Sequence, residues 1–497
     1  MLNPRRHRRR CLVAVLLTGV SLWSLRGPAR GQDPGELYAK AQAAQQAGDL
    51  RAAAVHYEQL VRLLPDLAEA RVNLGSIYYQ MREDAKAEAA LNEAIRLNPQ
   101  LGAAPYFFLG VIASRNREHE QASRRLEMAE KLDPSNRFVS YYLGEAYFAT
   151  RRYGAAAERF RKAVAEQDFR LDAYYYLSKT YGALSGQALE RLRAAHPRSH
   201  YLELARGHYH EGRKNWGEAA EAYRNVLDRQ PAAAGISKRL QWVDRRAAEE
   251  GVAGAPPPLP DGERLMLSLL YSPPSDREID TMLAESGKRL LAHAGPGGSA
   301  EALYRQAEEY QIASYLTSRW IGRNDPDSYR GRQLRAQLHE ARGEMDDAVR
   351  EYRAALRLKP DLQNVHFAIG SMLWSRSRLE EARPELEAEL RINPSHPEAR
   401  YVLADILQIE GRTDEAKRHL LEALRLAPDL FEARLAIERI YFAEGQFAKA
   451  LEQMRIAASL SPADPTPHYR MSMIHRRLGS SEEARKELET FQRLQGR

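Results

Sequence analysis

Cysteine is almost missing from this chain of 497 residues: Cys11 is the only one, and it sits near the start. A lone thiol forms no internal disulfide and no cysteine-ligated zinc site, so packing and hydrogen bonding are left to hold the fold. Long apolar runs are scarce too. The run from Cys11 to Leu25 is fifteen residues long, short of the ~20 that cross a bilayer as a helix. Before it stands MLNPRRHRRR and after it PARGQD, the layout of a basic leader, an apolar stretch and a small-residue cleavage site, with Ala29 and Gly31 at −3 and −1 before Gln32. A signal peptide over residues 1–31 is therefore expected, with the mature protein exported to the periplasm or beyond and no stable membrane span left after its removal. The alternative is an uncleaved leader that anchors the chain in the inner membrane. Cys11 precedes the apolar run, whereas a lipoprotein signal places its cysteine after it.

An excess of positive charge is the next absence. The first 31 residues hold seven arginines and no acid, so without them Lys+Arg falls from 74 to 67, equal to Asp+Glu at 67. The mature chain has no net field to draw nucleic acid or anionic lipid, and a nucleic-acid partner is not expected. Catalytic signatures are missing as well: no GxSxG, no HExxH, no phosphate-cradling glycine loop and no dinucleotide fingerprint. The densest histidine group, His196, His200, His208 and His210, straddles a proline-containing turn and spreads over different helix faces, so neither a metal nor another cofactor is expected.

What the sequence does have is a period. Pro326, Pro360, Pro394, Pro428 and Pro462 stand 34 residues apart, and Ala348, Ala382, Ala416, Ala450 and Ala484 share the phase. With proline at position 32 of each unit, units begin at Tyr329, Gln363, Pro397, Phe431 and Pro465. Large apolar residues recur at positions 7, 11 and 24, and small ones at 8 and 20. Two short antiparallel helices with small residues where they cross, and bulky ones between, bury their faces only by stacking on neighbouring units. Proline ends the second helix, and Gly343, Gly411, Gly445 and Gly479 at position 15 make the turn between the two.

The amino-terminal half repeats the pattern with Leu74-Gly75, Leu109-Gly110 and Leu143-Gly144 at positions 7 and 8, and Pro65, Pro99 and Pro134 at 32. A fifth unit from Tyr174 to Pro197 reads as shortened in its second helix. A sixth, from Ser199 to Pro231, pairs Leu204-Ala205 with Trp216, Ala219, Tyr223 and Val226. The combination of a large-small pair, an aromatic at 11, alanine at 20 and 27 and proline at 32 resembles the tetratricopeptide repeat family. Tyr78, Ala87, Ala94 and Pro99 carry it in one unit, and Tyr147, Ala156, Phe160 and Ala163 in another. Tryptophan at position 4 is absent throughout, and Asp168 replaces one terminal proline.

The resemblance implies an all-α superhelical solenoid in two arrays. Residues 34–231 form the first; 232–274 form a helical segment and a linker, with GVAGAPPPLPDG over 251–262; residues 275–497 form the second. The second array is expected to open with a degenerate unit over 275–328, whose first helix starts at a Ser275-x-x-Glu278 capping box. The resemblance also implies a non-catalytic scaffold for protein or peptide partners, with an inner surface lined by first-helix positions 2, 5, 9 and 12. Those positions nominate Tyr79, Phe138, Tyr141, Phe148, Tyr175 and Tyr209 in the first array, and Phe367, Trp374, Tyr401, Phe442 and Tyr469 in the second. Exposed aromatics on a rigid surface anchor partners at low entropy cost and also stack on sugars. The bland reading is that some of them only pack between adjacent first helices. The family's clamp for chaperone tails is not here, because Tyr38 and Gln42 occupy two of its positions. The expected role is in bacterial envelope assembly or secretion. Contact with cell-wall or exported polysaccharide is the alternative, and an enzymatic site within 232–328 is a third reading.

Overall fold

The computed structural model describes residues 33–233, 235–248, 275, 278–279, 281–282, 285 and 298–495. The expected leader (1–31) and linker (251–262) lie outside them. Among the described residues there are 23 helices and no strand, and no helix is long and apolar enough to cross a membrane. The chain divides into two compact units, residues 1–326 and 327–497.

In the first unit the described helices are α1 (Pro34–Ala47), α2 (Leu50–Leu63), α3 (Ala68–Met81), α4 (Asp84–Leu97), α5 (Ala104–Arg115), α6 (His119–Leu132), α7 (Val139–Ala149) and α8 (Tyr153–Ala163). They continue as α9 (Arg170–Ala195), α10 (His200–Gly212), α11 (Trp216–Arg229), α12 (Ile236–Ala248) and α13 (Ala300–Asn324). The second unit holds α14 (Tyr329–Ala341), α15 (Met345–Leu358), α16 (Val365–Ser375), α17 (Leu379–Ile392), α18 (Pro397–Ile409) and α19 (Thr413–Leu426). Its last four are α20 (Phe431–Ala443), α21 (Phe447–Leu460), α22 (Thr466–Arg477) and α23 (Ser481–Gln495).

Ten hairpins are each closed by one left-handed residue at position 15. Glycine supplies it at Gly48, Gly343, Gly411, Gly445 and Gly479, but Arg82, Arg117, Arg151, Lys214 and Ser377 adopt it too. The turn is thus dictated by the packing of the two helices, and a side chain there is tolerated at a cost of roughly 1–2 kcal/mol. The packing itself is set at position 8. A Cβ on Gly144 would lie 2.6 Å from Phe160 Cε1, and one on Gly207 would lie 2.5 Å from Tyr223 Cε1. Both partners are sixteen residues further on, at position 24.

Gly207 also corrects the sixth repeat. The small residue at its helix crossing is Gly207 rather than Ala205, so the register moves by two residues and the repeat begins at His200. Position 4, where tryptophan is missing, has its own use. Arg71, Arg400 and Arg434 there reach back to the carbonyls of Pro65, Pro394 and Pro428, Arg71 Nη2 at 2.8 Å and Arg400 Nη2 at 2.7 Å. An acceptor left open at the end of one unit is thereby satisfied by the next.

The fifth repeat departs from expectation. Its second helix is not shortened; α9 runs unbroken for 26 residues, with no left-handed residue to turn it. Its hairpin partner comes from far along the chain. Tyr174 stacks on Trp320 at 4.0 Å, Ser178 Oγ meets Ser318 Oγ at 2.6 Å, Tyr181 faces Tyr310 at 6.2 Å, and Arg191 donates to Gln306 at 2.7 Å. Residue numbers rise on α9 as they fall on α13, so the two pack antiparallel along their length. The expectation that 275–328 caps the second array is therefore corrected. Helix α13 serves the first unit as the missing second helix of its fifth repeat, and the second unit opens at Asp327. Of the capping box, Ser275 N–H does donate to Glu278 at 2.7 Å.

Since Cys11 is the sole native cysteine, Ser178→Cys with Ser314→Cys tests this pairing. Their hydroxyls are 3.3 Å apart, so mild oxidation should give an intramolecular crosslink, read as a reduction-sensitive gel shift. No crosslink would remove α13 from this position.

Candidate binding surface

Within each unit, first helices touch first helices of the next repeat: α3 with α5, α5 with α7, α7 with α9, α16 with α18 and α18 with α20. Those helices line the inner side of each stack, which is where the nominated aromatics belong.

The first unit spends much of its row on packing. Phe138, Tyr141 and Tyr175 are buried and are core residues, not groove residues. For Phe138 and Tyr141 the cause is Phe169, the residue ahead of α9, which packs against the start of α7. Tyr141 stacks on it at 4.5 Å and 15°, Phe138 meets it edge-on at 5.6 Å, and Tyr141 Oη donates to Glu145 at 2.8 Å. Tyr175 contacts Tyr176 edge-on at 5.6 Å. Phe148 is half-buried between Tyr153 and Tyr176. Tyr79 is half-buried beneath the Arg115 guanidinium, 4.3 Å above its ring, and Arg115 pairs with Asp84 at 2.9 Å. Burial raises the Tyr79 hydroxyl pKa and lowers that of Arg115.

Tyr209 is 54% exposed, but the corrected register moves it off the inner stripe to position 10. The inner positions of that repeat are Tyr201, Leu204, His208 and Glu211, and α12 and α13 cover them. Tyr201 stacks on Tyr304 at 5.1 Å, and Tyr304 Oη meets His208 Nδ1 at 3.0 Å. Glu211 accepts from Arg239 Nε at 2.9 Å and from Tyr223 Oη at 2.5 Å. The segment read as a linker region thus closes this end of the first unit's inner face. Of the four clustered histidines, His208 is buried in this network, while His196 and His200 line a shallow surface cleft with Arg198 and Tyr201.

In the second unit the row stays half-open. Phe367 lies 4.5 Å from the His396 ring. Trp374 meets Tyr401 edge-on at 6.3 Å, and its indole N–H donates to Asp405 Oδ2 at 2.9 Å. Arg439 donates to the other oxygen of Asp405 at 3.2 Å. Phe442 has the guanidinium groups of Arg470 and Arg477 at 5.3 and 6.0 Å from its ring. Tyr469 is 44% exposed, beside Phe491 at 5.2 Å. Sequence reasoning nominated the rings and missed Asp405 and Arg439, although both sit at position 9 of the same stripe. Looking only for aromatics hid them.

One further group, His339, Glu344 and Asp347, gathers its ligand atoms within 4.8 Å. It lies in the turn between α14 and α15, with Glu344 and Asp347 at the start of α15, whose positive helix end disfavours a cation. Asp347 pairs with Arg350, and His339 Nδ1 meets Glu344 at 2.6 Å. Its groups are thus already paired with one another and with Arg350.

Sequence models of the tetratricopeptide repeat match residues 38–101 and 109–170, and a second such model matches 373–440. No curated protein matches the chain. Among solved structures, MamA (residues 41 to the end) from Desulfovibrio magneticus RS-1 is similar at 19% identity, covering 34% of this chain and 94% of that one, with a TM-score of 0.32. YrrB, described as a TPR protein with an unusual peptide-binding site, is 21% identical over 36% of this chain and 92% of its own, TM-score 0.32. Naa15/Naa10 bound to HypK matches 93% of this chain and 94% of its own at 13% identity, TM-score 0.38. No ligand or activity follows from likenesses of this size.

The class is that of all-α helical-repeat scaffolds. Over residues 38–101, 109–170 and 373–440 the chain carries tetratricopeptide repeats, and at that level of description it is a protein-interaction scaffold.

Two predictions follow the burial. Tyr141→Ala should destabilise the protein by about 3–5 kcal/mol in denaturant unfolding, as a core aromatic truncation does; a loss near zero would return it to the surface. The second concerns acid. Burial would raise the Glu385 pKa, but the hydrogen bonds and charges of His366, 2.6 Å away, and Arg353, 3.2 Å away, more than offset it and hold it low. A carboxylate depressed on folding contributes stability above its unfolded pKa and loses it as pH falls through the folded one. Glu385→Gln should therefore lower Tm at neutral pH, with the gap to wild type closing as pH drops from about 5 to 3. A gap that is constant across this range would refute the ion pair.

Proposed function

We propose that this chain is a non-catalytic scaffold that holds proteins or peptides against the inner face of its repeats, and that it works outside the cytoplasm in bacterial envelope assembly or secretion. The observation that carries the binding half is the second unit's inner stripe, where Phe367, Trp374, Tyr401 and Phe442 stay half-buried on successive first helices. Rings already fixed by neighbours such as Asp405 lose little freedom when a partner covers their remaining area. The envelope half rests on the leader-like start of the sequence. The same rings also suit a sugar face, which keeps a polysaccharide contact as the second reading.

The test uses the full-length protein. Trp374→Ala with Tyr401→Ala should cut crosslinked partner capture from the producing cells by at least about tenfold, a loss of ~1.4 kcal/mol, while Tm shifts by only a few degrees. Undiminished capture removes the inner stripe from the function. Binding to peptidoglycan or a glycan array with no protein captured hands the site to sugar, and a cytoplasmic location in fractionated cells removes the envelope role.

A further inference from the structure

Position 4 of each repeat in the second unit faces position 23 of the same repeat, so its five repeats give five copies of one slot. Four of them set a donor against an acceptor. Arg332 Nη1 reaches Glu351 at 3.4 Å, His366 meets Glu385 at 2.6 Å, Arg434 Nη1 donates to Gln453 Oε1 at 2.6 Å, and His468 meets Glu487 at 2.6 Å. The middle repeat breaks the rule, because it sets Arg400 against His419.

Arg400 is not free to turn away. Its Nε and Nη2 are fixed on the Pro394 carbonyl at 3.1 and 2.7 Å, the same anchoring that Arg434 makes to Pro428. In Arg434 the remaining nitrogen, Nη1, is the one that donates to position 23; in Arg400 that nitrogen has no acceptor among the described residues. His419 Nδ1 is buried and has no partner among them either. The carboxylates nearby are engaged elsewhere: Glu387 with Arg383 at 3.1 Å, Glu415 with Arg412 at 2.7 Å, and Glu422 with Arg425 at 2.8 Å. Burial and the charges of Arg400 and Arg418 outweigh Glu415 and Glu387 and lower the His419 pKa, so its ring is neutral at neutral pH.

We propose that this slot binds a free inorganic oxyanion of the phosphate or sulfate class, held by Arg400 Nη1 and the His419 imidazole where the other four repeats place a Glu or Gln oxygen. Both side chains are half-buried, so the guanidinium is reachable from water while one side of the pairing is shielded from it. A guanidinium already fixed by two bonds loses little freedom on binding. Two such donors suit a single ion and are too few to track a phosphate strand. The ion pins α18 to α19 in the middle of the second unit, whatever the inner stripe holds.

The test is thermal unfolding of the full-length protein in sulfate against chloride at matched ionic strength. Wild-type Tm should rise by several degrees as sulfate increases, by mass action on the folded state. His419→Glu gives this repeat the acceptor found at Glu385 and Glu487; it should raise Tm without sulfate and cancel the further rise. His419→Gln, which copies Gln453, serves if the first variant folds poorly. Isothermal titration should give about one sulfate per chain in wild type and at least about tenfold weaker binding in either variant. Binding should tighten as pH falls through the range in which histidine titrates, because an imidazolium donates from both nitrogens. An equal Tm rise in wild type and both variants is a general salt effect and overturns the proposal. Binding that ignores pH takes His419 out of the site and overturns it as well. Capture by phosphatidylglycerol vesicles with no response to free sulfate or phosphate overturns the free-ion assignment.

Discussion

The structure depends on how closely two short helices can approach at one crossing in each hairpin. With glycine or alanine at position 8, the side chain at 24 seats directly on the backbone of the first helix, as Phe160 does on Gly144 and Tyr223 on Gly207. Buried contacts then come at close-packed density without long side chains. Much else follows from that distance. The turn must be tight enough to need a left-handed residue, and the chain accepts arginine, lysine or serine there rather than lengthen the loop. Alanines at position 20, such as Ala87, Ala156 and Ala416, are fully buried because they face the same narrow gap.

Close crossings make hairpins, and hairpins still need to be joined. The joints are polar as well as apolar. An arginine at position 4 ties a repeat to the prolyl carbonyl before it, and within the same repeat position 4 also meets position 23. His366 with Glu385 and His468 with Glu487 are both 2.6 Å pairs of this kind, and Arg434 with Gln453 is another at 2.6 Å. In the middle repeat the same geometry sets Arg400 against His419, and burial together with that like charge lowers the His419 pKa. One structural slot is thus filled by attraction in most repeats and by a neutralised histidine in another, which the packing around it overrides. Such pairs cost less than isolated buried charges because each is only partly desolvated.

The period was legible because it was imposed by a local constraint: what one helix needs from its own partner is written within 34 residues. Prolines, alanines and glycines of the second unit fall where that constraint puts them. Reading failed where the partner was not local. Nothing within Tyr174 to Pro197 says that its second helix is supplied by Ala300–Asn324, because Ser178 and Ser314 meet across 136 residues of sequence. The sixth repeat slipped by two for a related reason: Leu204-Ala205 looks like the large-small pair, but Leu204 is drawn toward Tyr304 and Leu192 in a separate core cluster, leaving Gly207 at the crossing. The inner aromatics were found by position and misjudged by environment. Position fixes which way a ring points, whereas burial depends on whether a neighbour such as Phe169 is there to meet it.

That difference separates the two inner faces. In the first unit Phe138, Tyr141, Tyr142 and Phe169 close on one another, edge-on or stacked, and the stripe next to it is covered by α12 and α13. Rings already in mutual contact have little area left to give a partner, so their contribution is to stiffness. In the second unit the corresponding positions alternate rings with charges: Trp374, Asp405, Arg439, Phe442. A charge between two rings prevents them from closing, because burying it would cost more than the ring contact returns. Trp374 is held by its hydrogen bond to Asp405 and Phe442 has the guanidinium of Arg470 over its ring, yet both stay only half-buried. A surface that is ordered and still incompletely satisfied is what a binding face requires. The charges missed by a search for aromatics are thus the residues that keep the aromatics available.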